Sequence, residues 1–209
     1  MLFSYRASVE LDSLGYRVLR NHKIRLAVSL GYWPQIWPPR SQDVIIVLAN
    51  AVLELPILHN PAASRVDGSP FFEKPEYGPA LIAKAQGEEE YSRFVRQDLS
   101  IKNRKTIATI IDEGNTVYPQ LDTSLSARES DESTIIGNDV LSARIVCKRN
   151  TGMGFQLSTP NPQHVIVNTR SVMSATREAF ELENTVETTL NGEPFFSKTW
   201  LDVVQRKFV

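Results

Sequence analysis

The sequence predicts an all-β protein, and three observations carry that prediction. Several stretches alternate apolar and polar residues with a period of two, as half-buried strands do. An Asn191-Gly192 pair sits between two apolar-alternating arms, the strongest short-range hairpin signal. Twelve prolines and ten glycines are spread through 209 residues, which favours many short elements and turns over long helices. Hydrophobic residues make up 42% of the chain and charged residues 22%, so a core of ordinary size is available and wholesale disorder is excluded.

Tyr5, Ala7, Val9 and Leu11 alternate with Arg6, Ser8, Glu10 and Asp12, which predicts a first strand. Ser13–Gly15 is a turn, Tyr16–Leu19 a short second strand, and Asn21-His22 a polar turn. Ile24, Leu26, Val28 and Leu30 then alternate with Lys23, Arg25, Ala27 and Ser29 as a third strand. Val44–Leu48 is a continuous β-branched run, as a strand buried on both faces would be, and Val52–Ile57 alternates again. Between His59 and Glu90, Pro61, Pro70, Pro75, Pro79, Gly68, Gly78 and Gly87 interrupt any period. That segment reads as a linker or surface excursion, with Phe71-Phe72 anchoring it to a neighbouring surface. Strands resume at Phe94–Leu99, Thr106–Ile111, Ala143–Lys148 and Val165–Met173. Phe180, Leu182, Val186 and Leu190 form one arm of the final hairpin and Phe195–Trp200 the other. The chain therefore divides into a sandwich portion over 1–58, a Pro/Gly-rich segment over 59–92 and a further β-rich region over 93–209.

Charge and cysteine content narrow the function classes. Lys plus Arg number 23 against 24 Asp plus Glu, a net charge of -1, without the basic excess of a phosphate-binding protein. No nucleic-acid partner is expected. Cys147 is the single cysteine, which excludes an intrachain disulfide and a Cys-based metal cluster. The longest apolar runs, such as Val44–Ala49, fall far short of the roughly 20 residues of a membrane-spanning helix. Met1–Leu11 has no continuous apolar stretch of the kind a signal peptide carries. A cytoplasmic protein with no membrane partner is the expectation.

A search for catalytic chemistry finds little. Ala27-Val28-Ser29-Leu30-Gly31 is a near match to the nucleophile elbow G-x-S-x-G. An elbow needs a strand that stops at the serine and turns into a helix, whereas Ser29 lies on the polar face of a predicted strand and Tyr32-Trp33-Pro34 follows. Ser29 is read as a strand residue. His22, His59 and His164 have no second histidine or carboxylate at metal-ligand spacing and are read as loop residues. Gly152-Met153-Gly154 lacks the strand–helix setting of a nucleotide loop and reads as a hairpin tip. Glu129, Asp131 and Glu132 lack the rhythm and glycine of a calcium loop and read as a solvated loop. No residue is assigned a catalytic, cofactor-binding or metal-ligating role, and no cofactor is expected.

Tyr32-Trp33-Pro34-Gln35-Ile36-Trp37-Pro38-Pro39 is the unusual feature. Tyr32, Trp33 and Trp37 are candidate interface or ligand-facing aromatics. Two indoles on a Pro-stiffened loop suit a sugar-stacking platform, and also suit capping of the open end of a sandwich or docking on another domain. Packing is the favoured reading, each ring having about 150–250 Å² to bury.

At this loop the chain resembles a known family. Leu11-Asp12, Asn21-His22-Lys23-Ile24-Arg25-Leu26-Ala27-Val28-Ser29, then Tyr32-Trp33-Pro34-Gln35-Ile36-Trp37-Pro38, then Leu53-Glu54-Leu55-Pro56 resemble the C-terminal β-region of the X-Pro dipeptidyl-peptidase and cocaine-esterase family of serine hydrolases. The resemblance continues through Arg96-Gln97-Asp98-Leu99, Asp139-Val140-Leu141-Ser142-Ala143-Arg144, Thr169-Arg170-Ser171, Phe180 and Phe196-Ser197-Lys198-Thr199-Trp200. Val140 departs from the family's usual proline, and Arg40-Ser41-Gln42 varies the segment after the tryptophans.

The resemblance implies a jelly-roll sandwich, similar to galactose-binding folds, in residues 1–58, with further β-strands after it. It also implies an α/β-hydrolase catalytic domain carrying Ser, Asp and His as a partner, in the same parent chain or a separate one. This chain shows no strand–helix alternation, so it holds no α/β-hydrolase domain and the triad transfers to none of its residues. The family's jelly roll has strands before the one that Tyr5–Leu11 resembles. An exposed sheet edge, and association of copies through it, is therefore a further expectation. The competing reading is a stand-alone carbohydrate-binding or interaction β-sandwich module.

Overall fold

The computed structural model describes residues 8–12, 15–29, 31–40, 52–57 and 73–207. Within them the protein is all-β. Eight strands form one antiparallel sheet: β1 (Lys84–Gln86), β2 (Glu90–Asp98), β3 (Arg104–Tyr118), β4 (Thr123–Ile136), β5 (Asp139–Phe155), β6 (Gln163–Ala175), β7 (Ala179–Leu190) and β8 (Glu193–Gln205). From β3 onward each strand pairs with the next in sequence, giving a meander. The crossing connections of a jelly roll have no counterpart among the described residues.

β1 and β2 lie end to end along the outer side of β3, opposite Asn115–Val117 and Arg104–Asp112 respectively. The register of β3 against β4 shifts between Asp112 and Asn115, where Gly114 has φ 64° and donates its N–H to Asp112 Oδ1 at 3.0 Å. A side chain there would need a left-handed backbone and would meet the Glu88 carbonyl oxygen at 3.4 Å. Glycine thus permits the bulge at which the edge strand breaks.

Four of the later strands begin from the predicted segments and run longer: Phe94–Leu99, Thr106–Ile111, Ala143–Lys148 and Val165–Met173 fall largely within β2, β3, β5 and β6. The Asn191-Gly192 hairpin is present, with both residues at positive φ (53° and 85°), as a two-residue turn of this type requires.

Three readings are corrected. Gly152-Met153-Gly154 is not a hairpin tip but lies inside β5, opposite Ser126, Leu125 and Ser124 of β4. Glu129, Asp131 and Glu132 are not in a loop but on β4. Tyr16–Leu19, Val52–Ile57 and the described parts of Tyr5–Leu11 and Ile24–Leu30 form no strands, and their alternating apolar side chains are exposed. Alternation alone does not make a strand: its ladder needs a neighbour, and none of the described residues supplies one. Val44–Leu48, His59 and Phe71-Phe72 lie outside the described residues.

Paired residues share a face, so the registers sort the side chains. One face carries the row Ala108, Glu132, Val146, Val172 and Glu183; the other carries Ile107, Ser133, Ile145, Met173 and Leu182. Ile107, Ala108, Ala143, Val146, Val172, Ala175 and Ala179 are buried. All lie towards the end of the sheet where β3, β5 and β7 begin and β4 and β6 finish. Apolar burial is thus concentrated at one end of the meander.

The middle of the sheet is held by charge. Arg128 pairs across strands with Asp112 and reaches Glu90 at 3.5 Å. On the opposite face Arg149 lies 3.3 Å from Glu129 and donates to Asp131 at 2.6 and 3.1 Å. Arg170 pairs with Glu183 at 2.7 Å, and Asn150 donates to Asn168 at 2.6 Å. Arg128, Lys148, Asn150, Asn168, Arg170 and Glu187 line an open trough of about 380 Å³ on the first face.

Candidate functional site

The candidate site is built where the aromatic loop meets the apolar end of the sheet. Residues 31–40 fold on themselves through a bridge between Tyr32 and Ile36, the Ile36 N–H donating to the Tyr32 carbonyl oxygen at 2.9 Å. This turns Trp33 and Trp37 towards each other, edge to face, with ring centroids 5.2 Å apart and planes at 85°. Trp37 meets Phe180 of β7 in the same manner, at 5.8 Å and 89°. Such pairs add about 0.5–1.5 kcal/mol to the burial of their area. Both indoles are half-buried, Pro38 is buried, and Tyr32 stays exposed.

Arg206, just beyond β8, completes the cluster. Its guanidinium lies over the Phe180 ring at 4.9 Å and donates to the carbonyl oxygens of Pro38 at 2.8 Å and Thr176 at 3.0 Å. Its backbone N–H donates to the Glu178 carbonyl oxygen at 2.8 Å, while Arg40 donates to its carbonyl oxygen. The turn that presents Thr176 is itself closed locally: Thr176 Oγ1 accepts from the N–H groups of Glu178 and Ala179 at 3.3 and 3.1 Å. Burial, and after it the neighbouring Arg40, pulls the Arg206 guanidinium below the ordinary arginine range. Carbonyl oxygens and a π face, not a carboxylate, hold this buried cation.

The contacts of this cluster are ring packing and hydrogen bonds to carbonyl oxygens. Ser29 is exposed, and its hydroxyl donates to the Gly31 carbonyl oxygen at 2.8 Å in a local turn, with no helix following. His22 is in a turn, its N–H donating to the Leu19 carbonyl oxygen at 3.1 Å. His164 belongs to β6 and not to a loop; its backbone N–H donates to Asn191 Oδ1 at 2.8 Å, which ties that strand to the final hairpin. Among the described residues no three His, Cys, Asp or Glu side chains gather as a metal site. No helix among them is long and apolar enough to cross a membrane.

No family model, curated protein or solved structure matches the chain.

Cys147 is half-buried on the face of β5 that carries Arg149. Burial first, and Asp131 second, push its thiol up to about 11, so it is protonated and unreactive at neutral pH. Sequence reasoning found Trp33 and Trp37 but missed Arg206. No motif in the sequence marks it: it is one arginine among the charged residues that follow the apolar arm beginning at Phe195.

Proposed function

We propose that this chain is the non-catalytic C-terminal β-region of a serine hydrolase of the X-Pro dipeptidyl-peptidase and cocaine-esterase type. Its role is to pack against an α/β-hydrolase catalytic domain and help shape the entrance of that domain's active site. The observation that carries the reading is the contact between Trp37 and Phe180. Both belong to the stretches that resemble the family, they are far apart in sequence, and the fold brings them into one cluster. A second observation supports it. Val9, Leu11, Ile24, Leu26, Val28, Val52, Leu55 and Ile57 are exposed in alternating segments that have no strand partner among the described residues, apolar side chains suited to being covered by another domain.

The test is enzymatic. The purified chain is expected to hydrolyse neither X-Pro anilides nor short acyl esters above background, and to take no fluorophosphonate label. A separately expressed α/β-hydrolase domain of this family, lacking its own β-region, is expected to bind the chain and gain activity. Labelling of the chain at Ser29, abolished by Ser29→Ala, would overturn the reading; so would failure of any such domain to bind.

A further inference from the structure

β8 forms one margin of the sheet. One side of it pairs with β7, and no described residue pairs with the other. All thirteen of its residues are exposed, with Phe195 at 70%, Leu201 at 75% and Val203 at 67%. Sheet margins are ordinarily kept short, bulged, or studded with charge to prevent pairing. β8 is long; its proline and its register shift, at Pro194–Phe196, are confined to the hairpin end, and from Phe196 to Gln205 it carries only Lys198 and Asp202 as charged residues.

We propose that β8 pairs antiparallel with β8 of a second copy, about a two-fold axis through Trp200, so that two sheets join into one. The argument is charge complementarity under symmetry. A two-fold axis normal to the sheet pairs residue with residue reciprocally, and paired residues share a face. The axis must therefore pass through a residue and not between two. Through Lys198 or Asp202 it sets like charges directly opposite each other, which is destabilising. Through Thr199 or Leu201 it leaves both charges facing uncharged residues. Through Trp200 it sets Lys198 against Asp202 of the second copy, and Asp202 against Lys198, while Phe196 faces Val204 and Thr199 faces Leu201. Lys198 already lies over its own Trp200 ring at 4.8 Å, which orders the ammonium beside the axis. The pairing uses a margin distinct from the Trp33–Trp37 cluster and does not depend on the hydrolase reading.

Sedimentation equilibrium of the full 209-residue chain tests it. A dimer is expected, Lys198→Asp is expected to weaken it at least tenfold, and adding Asp202→Lys is expected to restore it. Circular dichroism of each variant reports whether the sheet is intact. Independently, in a Cys147→Ser background, Trp200→Cys is expected to form a disulfide-linked dimer under mild oxidation. Val203→Cys is not, because two such residues would lie about 20 Å apart along the paired strands. A monomeric wild-type chain, a double variant that stays as weak as the single one, or equal cross-linking at 200 and 203 would each overturn the proposal.

Discussion

The Arg206 guanidinium donates to the Pro38 carbonyl oxygen at 2.8 Å, across 168 positions of sequence. The bond joins the aromatic loop to the residue that follows the last strand, and it does so with a buried cation whose Nη1 donates to Thr176 and whose flat face rests on Phe180. Geometry of this kind suits a planar, forked donor and not a point charge.

Arg206→Lys is therefore expected to behave almost as badly as Arg206→Ala. Each should lower stability by about 2–3 kcal/mol, since lysine cannot serve the buried Pro38 and part-buried Thr176 carbonyl oxygens together and alanine serves neither. Urea denaturation compares the two; full rescue by lysine would show that charge alone matters.

Trp37→Ala should cost more than Trp33→Ala, because Trp37 touches both Trp33 and Phe180. Half-buried rings place the larger loss at about 2–3 kcal/mol, below the 3–5 of a fully buried aromatic. Tyr32→Ala, at an exposed position, should stay within about 0.5 kcal/mol. Titration with simple sugars should leave tryptophan fluorescence unchanged; a saturable change lost in Tyr32→Ala would favour the carbohydrate reading.

Gly152 and Gly154 should respond differently to alanine. A Cβ on Gly152 meets only Ser126, whose hydroxyl at 2.5 Å can rotate away. Relief of the glycine's unfolded-state freedom then makes Gly152→Ala nearly neutral. A Cβ on Gly154 meets Ser124 Oγ at 2.5 Å and both His164 and Leu157 at 3.0 Å. Gly154→Ala should cost about 1–2 kcal/mol by thermal melting.

Acid should weaken the middle of the sheet. The Arg149 hydrogen bond, foremost, holds the Asp131 carboxyl below its ordinary 3.8. A depressed folded-state value adds stability that is present above the unfolded value and lost as pH falls through the folded one. Urea melts below about pH 4 should show this loss in the wild type and less of it in Asp131→Asn. With both side chains partly exposed, the difference is at most about 1 kcal/mol.

Alkali should act through Cys147. Its thiol is raised from 9.0 to about 11, so its contribution is complete below about pH 9 and lost as pH rises through about 11. Cys147→Ala should flatten the wild-type decline across that window, and alkylation of the folded protein at pH 8 should be slow beside that of the denatured chain.

The sequence made the later half of the sheet legible through β5, β6 and the Asn191-Gly192 hairpin, whose alternation and turn chemistry are local. It hid β4. Ser126–Thr134 is almost wholly polar, and it is a strand because it pairs along both sides with β3 and β5, where Arg128, Glu129 and Asp131 also meet opposite charges, information held in other segments. The converse error fell on Tyr16–Leu19 and Ile24–Ser29, where the alternation is regular but the pairing partner is not supplied by the described residues. Of the site, the tryptophans announced themselves by type. Arg206 did not, since its role depends on where the β7–β8 hairpin ends.

The bond between Pro38 and Arg206 also orders events in time. Closing a loop of 168 residues from a disordered chain costs about 4–5 kcal/mol of entropy, whereas a hairpin closes over only a few residues. The meander can zip from one neighbouring strand to the next before the aromatic loop arrives, and the assembled sheet then shortens the path the loop must span. Docking is the latch, last to engage in folding and first to release on warming. Amide exchange at Ile36 and Arg206 should accordingly outrun exchange in the central strands.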